Sequence, residues 1–275
     1  MAPFHRSSSS WLRPAFARTR ARLGGLAVQP PYVEWAARYS PADSVYCVWV
    51  SRPEQGTDGR VLPDACIDII WDGARLFVAG PDTGPVPVEV TDGMAFAGVR
   101  FRPGRAPAFL GLPASALLDQ RVELAELWGD SAVSRLVEAL GQTEGPEVAA
   151  HLLDRAVAGR ARVAGPPDPM VDALVGMLGD PPASLGAVRT ASTALSVGER
   201  RLYRRCCTAV GYGPKTLERV LRFQRAIRLA GQTGSLAVLA ARAGYADQAH
   251  LTRESRRLGG TTPSDLFKTG PPAVP

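Results

Sequence analysis

Leu202, Arg204, Gly211, Pro214 and Leu217 recur 49 residues later as Leu251, Arg253, Gly260, Pro263 and Leu266. Glycine and proline are among the matches, so five in register over 16 residues exceed what composition supplies. The unit reads as a helix that stops at glycine, then a proline that opens the next helix. Duplicating such a unit restricts the last third of the chain to short helices laid out twice over. Periodicity and stop signals place them at 168–178, 184–194, 197–209, 214–230, 235–243, 247–258 and 263–267. Ser196 followed by Glu199 predicts a capping box at the start of the third. A short helix, a turn holding Gly244 and a second helix is the helix-turn-helix pattern. Two such motifs, joined by the longer helix 214–230, are expected.

Helical angles show what these motifs present. With Leu202 at the centre of the buried face of helix 197–209, Cys206 and Ala209 fall within about 40° of it. Arg200 and Arg204 then lie opposite, flanked by Tyr203 and Cys207 on one side and Arg201 on the other. In helix 247–258 the same construction buries Leu251, Ser255 and Leu258. It exposes Ala249, Thr252, Arg253 and Arg256, with Gln248 near the N-terminal end. Arginine can bond a guanine edge twice, glutamine an adenine edge, and threonine or alanine can meet a thymine methyl. Arg222, Arg225, Arg228 and Arg257 lie beyond these faces and suit phosphates. His250 sits at the side of its helix, placed for packing or a phosphate contact rather than for catalysis. One arginine-bearing helix is an ordinary solvated face; two repeated ones, each behind a short helix and a turn, point to double-stranded DNA.

Charge is distributed to match. The chain carries +6 overall, which divides into +5 over 1–22, −9 over 23–184 and +10 over 185–275. An acidic body is thus joined to a module built to meet a polyanion. An architectural binder indifferent to sequence would spread positive charge over the whole surface, and the −9 body argues against it.

Other classes are excluded more simply. No run approaches 18 apolar residues, so no membrane span is expected. The Arg- and Ser-rich stretch 1–29 lacks the apolar core of a secretory signal and reads as a tail, a start placed too early, or an organellar transit peptide. Residues 271–275 are a second tail. Four cysteines, with Cys206 and Cys207 adjacent, make no disulfide framework. No metal site and no cofactor are expected, and the setting is a reducing cytoplasm.

From about 30 to 105 the pattern is β-rich: 45–50, 66–71, 76–78, 86–90 and 95–101 are short apolar or alternating runs between Pro/Gly clusters. They suggest a small barrel or sandwich. Helical periods follow at 114–118, 122–128, 132–140 and 146–160. The linker 165–169 (GPPDP) then sets a boundary, giving modules at 30–164 and 165–270. The fold class is α+β: a cupin-like β-barrel module with helices, then an all-α domain with two helix-turn-helix motifs.

The stretch "LSVGERRLYRRC…VGYGPKTLERVLRFQRAIRLA…SLAVLAARAGYADQAHLTRESRRLGGTTPSDLF" resembles the DNA-binding domain of the AraC/XylS family of bacterial transcription regulators. The resemblance covers roughly 168–268 and implies two motifs whose second helices enter successive major grooves, about 34 Å apart. Cys206 and Ser255 depart from it, standing where the family usually buries a phenylalanine. The stretches "LPDACIDIIWDG" and "GVRFRPGRAPAFLGLPASALLDQRVELAELWG" resemble, more weakly, sensor domains of an actinobacterial branch of these regulators. A sequence-specific regulator with a small-molecule effector is implied, with RNA polymerase and a second copy of the chain as further partners.

Effector-binding candidates are Trp49 and Trp71 with Arg100 or Arg102 to receive an anionic group; Ile69, Phe96 and Phe101 are apolar companions. Aromatics at alternate strand positions are equally what a plain core requires. Asp64, Asp68 and Asp72 show no rigid oxygen-ligand loop and read as turn and surface carboxylates. Apolar neighbours make Cys47 and Cys66 buried, inert thiols. The rival class is an enzyme, a cupin-like barrel fused to a DNA-binding domain. Such barrels hold a metal on two or three histidines, and residues 30–130 contain none.

Overall fold

In a computed structural model, residues 32–53, 60–91, 93–162, 164–179 and 187–268 are described. Both expected tails and the first residues of helix 184–194 lie outside them. One antiparallel sheet carries β1 (Tyr32–Trp35), β2 (Val45–Ser51), β7 (Phe96–Phe101), β4 (Ile67–Trp71), β5 (Leu76–Ala79) and β8 (Arg121–Glu123), in that spatial order. A separate two-stranded ribbon pairs β3 (Arg60–Val61) with β6 (Val86–Pro87).

The inner strands β2, β7, β4 and β5 are buried on both faces, so they look almost continuously apolar in sequence. Alternation still sorts them. Ile67, Ile69 and Trp71 of β4, Ala97, Val99 and Phe101 of β7, and Leu76 and Val78 of β5 share one core. Covering that face are α1 (Ala106–Leu110), a 3-10 turn (Ala114–Leu117), α2 (Leu124–Trp128), α3 (Asp130–Gly141) and α4 (Pro146–Arg160). The opposite face gathers Cys47, Trp49, Ile70, Ala79 and Phe96 into a smaller cluster, and the ribbon lies over it. Gly98 faces Trp49 across the β2–β7 pairing, and a Cβ there would fall 2.3 Å from the indole. This strand glycine is therefore the seat of a tryptophan.

The barrel-like module is thus an open sheet roofed by a ribbon. Residues 122 and 123, expected to begin a helix, instead close the sheet edge in β8, with Val122 opposite Val78. Three residues are too short a run for alternation to register. The expected strand 86–90 shrinks to Val86–Pro87, which pairs only with the ribbon.

Seven helices follow: α5 (Pro169–Gly179), α6 (Ala187–Ala194), α7 (Glu199–Val210), α8 (Pro214–Leu229), α9 (Leu236–Ala243), α10 (Gln248–Gly259) and α11 (Pro263–Lys268). Helix α8 binds them together: it buries Leu217, Val220, Leu221 and Phe223 in one cluster and Ala226 in the next. Leu62 and Ala65, from the β-rich half, belong to the first of these clusters. The core therefore crosses the joint between the halves.

Helix α4 is anchored by one carboxylate. Asp154 is fully buried and accepts the backbone N–H groups of Arg38 (2.7 Å), Tyr39 (3.0 Å) and Ser40 (2.9 Å). Those donors sit in the chain between β1 and β2, with no ladder partner. We expect Asp154→Ala to cost about 2–4 kcal/mol in urea unfolding, because three backbone donors, that of buried Ser40 among them, lose their acceptor. An unchanged midpoint would mean that water replaces the carboxylate.

Candidate nucleic-acid interface and the cavity of the β-rich half

The repeat seen in the sequence is realised as two like units, α6–α7 and α9–α10. Both second helices have 12 residues and end on a left-handed glycine, Gly211 at φ 104° and Gly260 at φ 71°. Each is followed by a proline-led helix, α8 or α11. Their starts differ. The Ser196–Glu199 capping box does not form: Ser196 itself has φ 52°, and the N-cap of α7 is Gly198, without a side-chain bond. In the second unit Ser235 caps α9 by accepting from the N–H of Val238 (3.3 Å), and Asp247 caps α10 by accepting from that of His250 (2.6 Å).

The outer faces are open. Arg200, Arg201, Tyr203 and Arg204 on α7 are exposed, as are Gln248, Ala249, Arg253, Arg256 and Arg257 on α10. Tyr203 lies across Gly213, where a Cβ would come 2.4 Å from the ring. Thr252 returns its hydroxyl to the carbonyl of Gln248 (2.9 Å), which leaves its methyl as the outward group. His250 is half-buried; its ring meets Tyr245 edge-on at 5.1 Å, so it belongs to the cap of α10.

Three arginines assigned to phosphates are placed differently. Arg225 is buried and donates to the carbonyls of Gly179 (2.6 Å) and Ala243 (3.3 Å), tying α5 and α9 to α8, so it is a structural cation and not a phosphate ligand. Arg222 pairs with Glu218 and stacks over Tyr245 at 5.7 Å. Arg228 is half-buried, and burial lowers its pKa. Of the arginines read as phosphate ligands, the exposed one is Arg257.

Behind α10, Arg219 of α8 grips Glu254 with two bonds of 2.8 and 2.7 Å. The sequence offered no sign of this pair, because its partners stand 35 residues apart. The two departures from the family pattern, Cys206 and Ser255, are completely buried, and the Ser255 hydroxyl makes no hydrogen bond.

The β-rich half contributes a cavity of about 430 Å³ between the ribbon and the second sheet face. Ile70, Phe77, Met94 and Phe96 give it apolar walls, Val61, Val86 and Val88 roof it, and six carboxylates and three arginines complete it. Each guanidinium already has a carboxylate. Arg75 bonds Asp72 (3.1 Å), and Arg121 holds Asp82 through two bonds of 2.9 and 2.8 Å. Arg100, 3% exposed, bonds Asp68 at 3.1 Å and lies 3.5 Å from Asp64. The Trp49 Nε1–H donates to Asp68 at 3.0 Å. Burial, with Asp64 close by, overrides Arg100 and lifts Asp68 to about 6.

The four effector candidates are therefore separated. Arg100 lines the cavity but is consumed by aspartates. Trp49 sits beneath it, bound to Asp68. Trp71 packs in the core of the other sheet face. Arg102 lies outside, over the Tyr46 ring (5.3 Å) and on the carbonyl of Ala42 (3.0 Å). Trp71 and Arg102 cannot share a pocket with the other two. The aspartates read as surface groups are themselves cavity walls.

The ribbon has a second side. Arg60 donates to the carbonyl of Gly259 (3.2 Å), the last residue of α10, and a Cβ on Gly260 would come within 3.1 Å of Pro85. Gln224 of α8 donates to the carbonyl of Pro63 (2.8 Å). Helix α7 leans on the sensor half too: a Cβ on Gly211 would meet Pro81 at 2.5 Å. Arg105 of the β-rich half pairs with Asp172 of α5 at 2.9 Å.

Two repeated motifs with open arginine faces on a shared spine define a DNA-binding domain. Residues 191–269 match the family model of a helix-turn-helix domain, and residues 40–123 match a domain of unknown function (DUF6597). The C-terminal region is thus a helix-turn-helix domain. Among solved structures, unsaturated fatty acid-bound wild-type ToxT from Vibrio cholerae is similar at 9% identity and TM-score 0.44, covering 79% of this chain and 95% of that one. ToxT from strain O395 is similar at 11% identity and TM-score 0.41, covering 76% and 90%. No curated protein matches the chain. Among the described residues no helix is long and apolar enough to cross a membrane.

The Arg219–Glu254 clamp has a pH signature. Burial opposes ionisation of Glu254, but the Arg219 bonds and charge outweigh it and hold the carboxyl below its ordinary 4.5. Its stabilisation is therefore complete above 4.5 and is lost as pH falls through the lowered value. We expect Arg219→Ala to cost about 1–3 kcal/mol at neutral pH, and the gap to the parent to close in acid. A gap that is constant with pH in urea titrations would assign the loss to packing alone.

Proposed function

We propose that the chain is a sequence-specific, DNA-binding transcription regulator of the one-component type, working in the reducing cytoplasm. The observation that carries this reading is the duplicated motif with its two open arginine faces on one spine. In this reading α7 and α10 enter successive major grooves, about 34 Å apart. Arg200, Arg204 and Arg253 read guanine edges, Gln248 reads adenine, and Ala249 and the Thr252 methyl meet thymine. Arg201, Arg256 and Arg257 neutralise phosphates, and Tyr203 bonds the backbone. RNA polymerase and a second copy of the chain rest on the family resemblance alone.

The test begins with an operator selected from randomised duplexes by the full chain. Arg253→Ala should then cost about 1–3 kcal/mol on that operator and much less on random DNA. Equal losses on both would make Arg253 a phosphate ligand. Parent affinity should fall steeply with salt, with a log–log slope near −0.9 for each phosphate contact. Excess unrelated DNA that competes in simple proportion to its mass would overturn specific regulation.

The cavity is read here as the effector site and the ribbon as its link to DNA. The same ribbon walls the cavity through Val61 and Val86 and touches the last turn of α10 through Arg60 and Pro85. A ligand that shifts the ribbon thereby biases the helix that reads DNA. Val88→Trp, filling the cavity, and Arg60→Ala, cutting the link, should be non-additive in operator affinity by about 0.5–2 kcal/mol in a double-mutant cycle. Additive values would remove the ribbon from the signal path.

A further inference from the structure

The charges in the cavity under the ribbon are out of balance. Arg75 and Arg121 are each matched by one aspartate, Asp72 and Asp82. Arg100 is shared: Asp68 lies at 3.1 Å and Asp64 at 3.5 Å from the same Nε. Glu34, opposite Trp49 on the neighbouring strand, also feels Arg100, and burial raises its pKa. Glu89 and Glu123 add two exposed carboxylates at the rim.

Among the described residues, an anion entering here finds no guanidinium without a carboxylate and meets surplus negative charge. A neutral apolar molecule would bury that charge more deeply without a counterion, which is costly in a low dielectric. A cation does the opposite: it adds a second positive charge beside two aspartates that share Arg100. Phe77, over whose ring Arg75 lies at 5.6 Å, and Phe96 in the same wall offer apolar area to its body. The volume of about 430 Å³ falls in the usual range for small-molecule sites.

We infer that this cavity binds a small organic cation, with an amine or amidine beside Asp64 and Asp68 and an apolar or aromatic body against Phe77 and Phe96. The inference rests on reading the β-rich half as the effector module. It replaces the anionic effector expected from Arg100 and Arg102.

The full chain is titrated by calorimetry with three molecules alike in body and different in charge: 2-phenylethylamine, 2-phenylethanol and phenylacetate. The amine should bind in the millimolar range or tighter, at least about tenfold better than the alcohol, and phenylacetate should not bind. Asp64→Asn is the chosen variant, because Asp64 is partly exposed while Asp68 holds Trp49 and Arg100. It should weaken the amine about tenfold or more and leave the alcohol unchanged, with an unchanged melting curve as the check on folding. Phenylacetate or the alcohol binding as well as the amine overturns the inference, as does an amine that fails to bind or is indifferent to Asp64→Asn. Operator affinity is measured in the same samples. Binding of the amine with unchanged operator affinity upholds the cation site and overturns the effector reading.

Discussion

A guanidinium buried in the middle of a sheet is the constraint from which the rest of the sensor half follows. Arg100 sits on the strand between β2 and β4, and at 3% exposure it requires carboxylates within reach. Asp68 supplies them from the next strand, at its register partner position. Trp49 supplies a further donor to the same carboxylate and covers the pair from β2. Breaking such a pair on one side leaves a charge stranded in a low dielectric, so these three positions depend on one another. They also decide what can cover that sheet face. Helices take the purely apolar face. The charged face carries a short ribbon, which leaves room above the aspartates instead of packing tightly against them.

The two helix-turn-helix units share a plan but not a means of support. In the second unit, α10 is capped by Asp247 and clamped by Arg219, so most of its support comes from the helical domain itself. In the first, α7 has a glycine cap and finds support elsewhere, from the Arg205–Asp168 pair (2.6 Å) at the linker and from Pro81 against Gly211. The β-rich half is thus part of what holds α7. A change in the sensor half reaches α7 through packing and α10 through the Arg60 bond to its last carbonyl.

The C-terminal helices were largely legible because proline and glycine punctuate them. Pro214, Gly211 and Gly260 fix ends through covalent geometry, which no distant contact overrides. The exposed faces of α7 and α10 followed from local periodicity for the same reason. The capping box failed because Ser196 is drawn into a left-handed turn that closes α6, its N–H bonding the carbonyl of Thr193 (3.0 Å). Strand β8 escaped notice because three edge residues take their conformation from β5 and not from their own sequence. The cavity was the least legible feature. Whether Trp49 and Trp71 share a face depends on how β2 and β4 register through β7, and β2 carries a bulge between Val45 and Cys47. Whether Arg100 is available depends on an aspartate 32 residues away. Periodicity within one strand reports neither.

The division of charge acquires a structural sense from the joint between the halves. Divided at the linker, the β-rich half carries −6 over 23–164 and the helical half +7 over 165–275. These attract at long range, yet few of the direct contacts among the described residues are ion pairs. Arg60 and Gln224 end on backbone carbonyls, and Pro81 and Pro85 meet glycines. Arg105–Asp172 is the notable exception, and its positive member lies on the acidic half. Long-range attraction keeps the halves together without fixing their register, and short neutral contacts fix the register at small individual cost. DNA competes for the long-range part, because it offers the positive module a denser negative charge than the sensor body does. The short contacts at Gly211 and Gly259 lie at the C-terminal ends of α7 and α10, away from Arg200 and Gln248 at their starts. On the reading proposed above, the β-rich half can therefore remain docked while the open starts of both helices engage DNA.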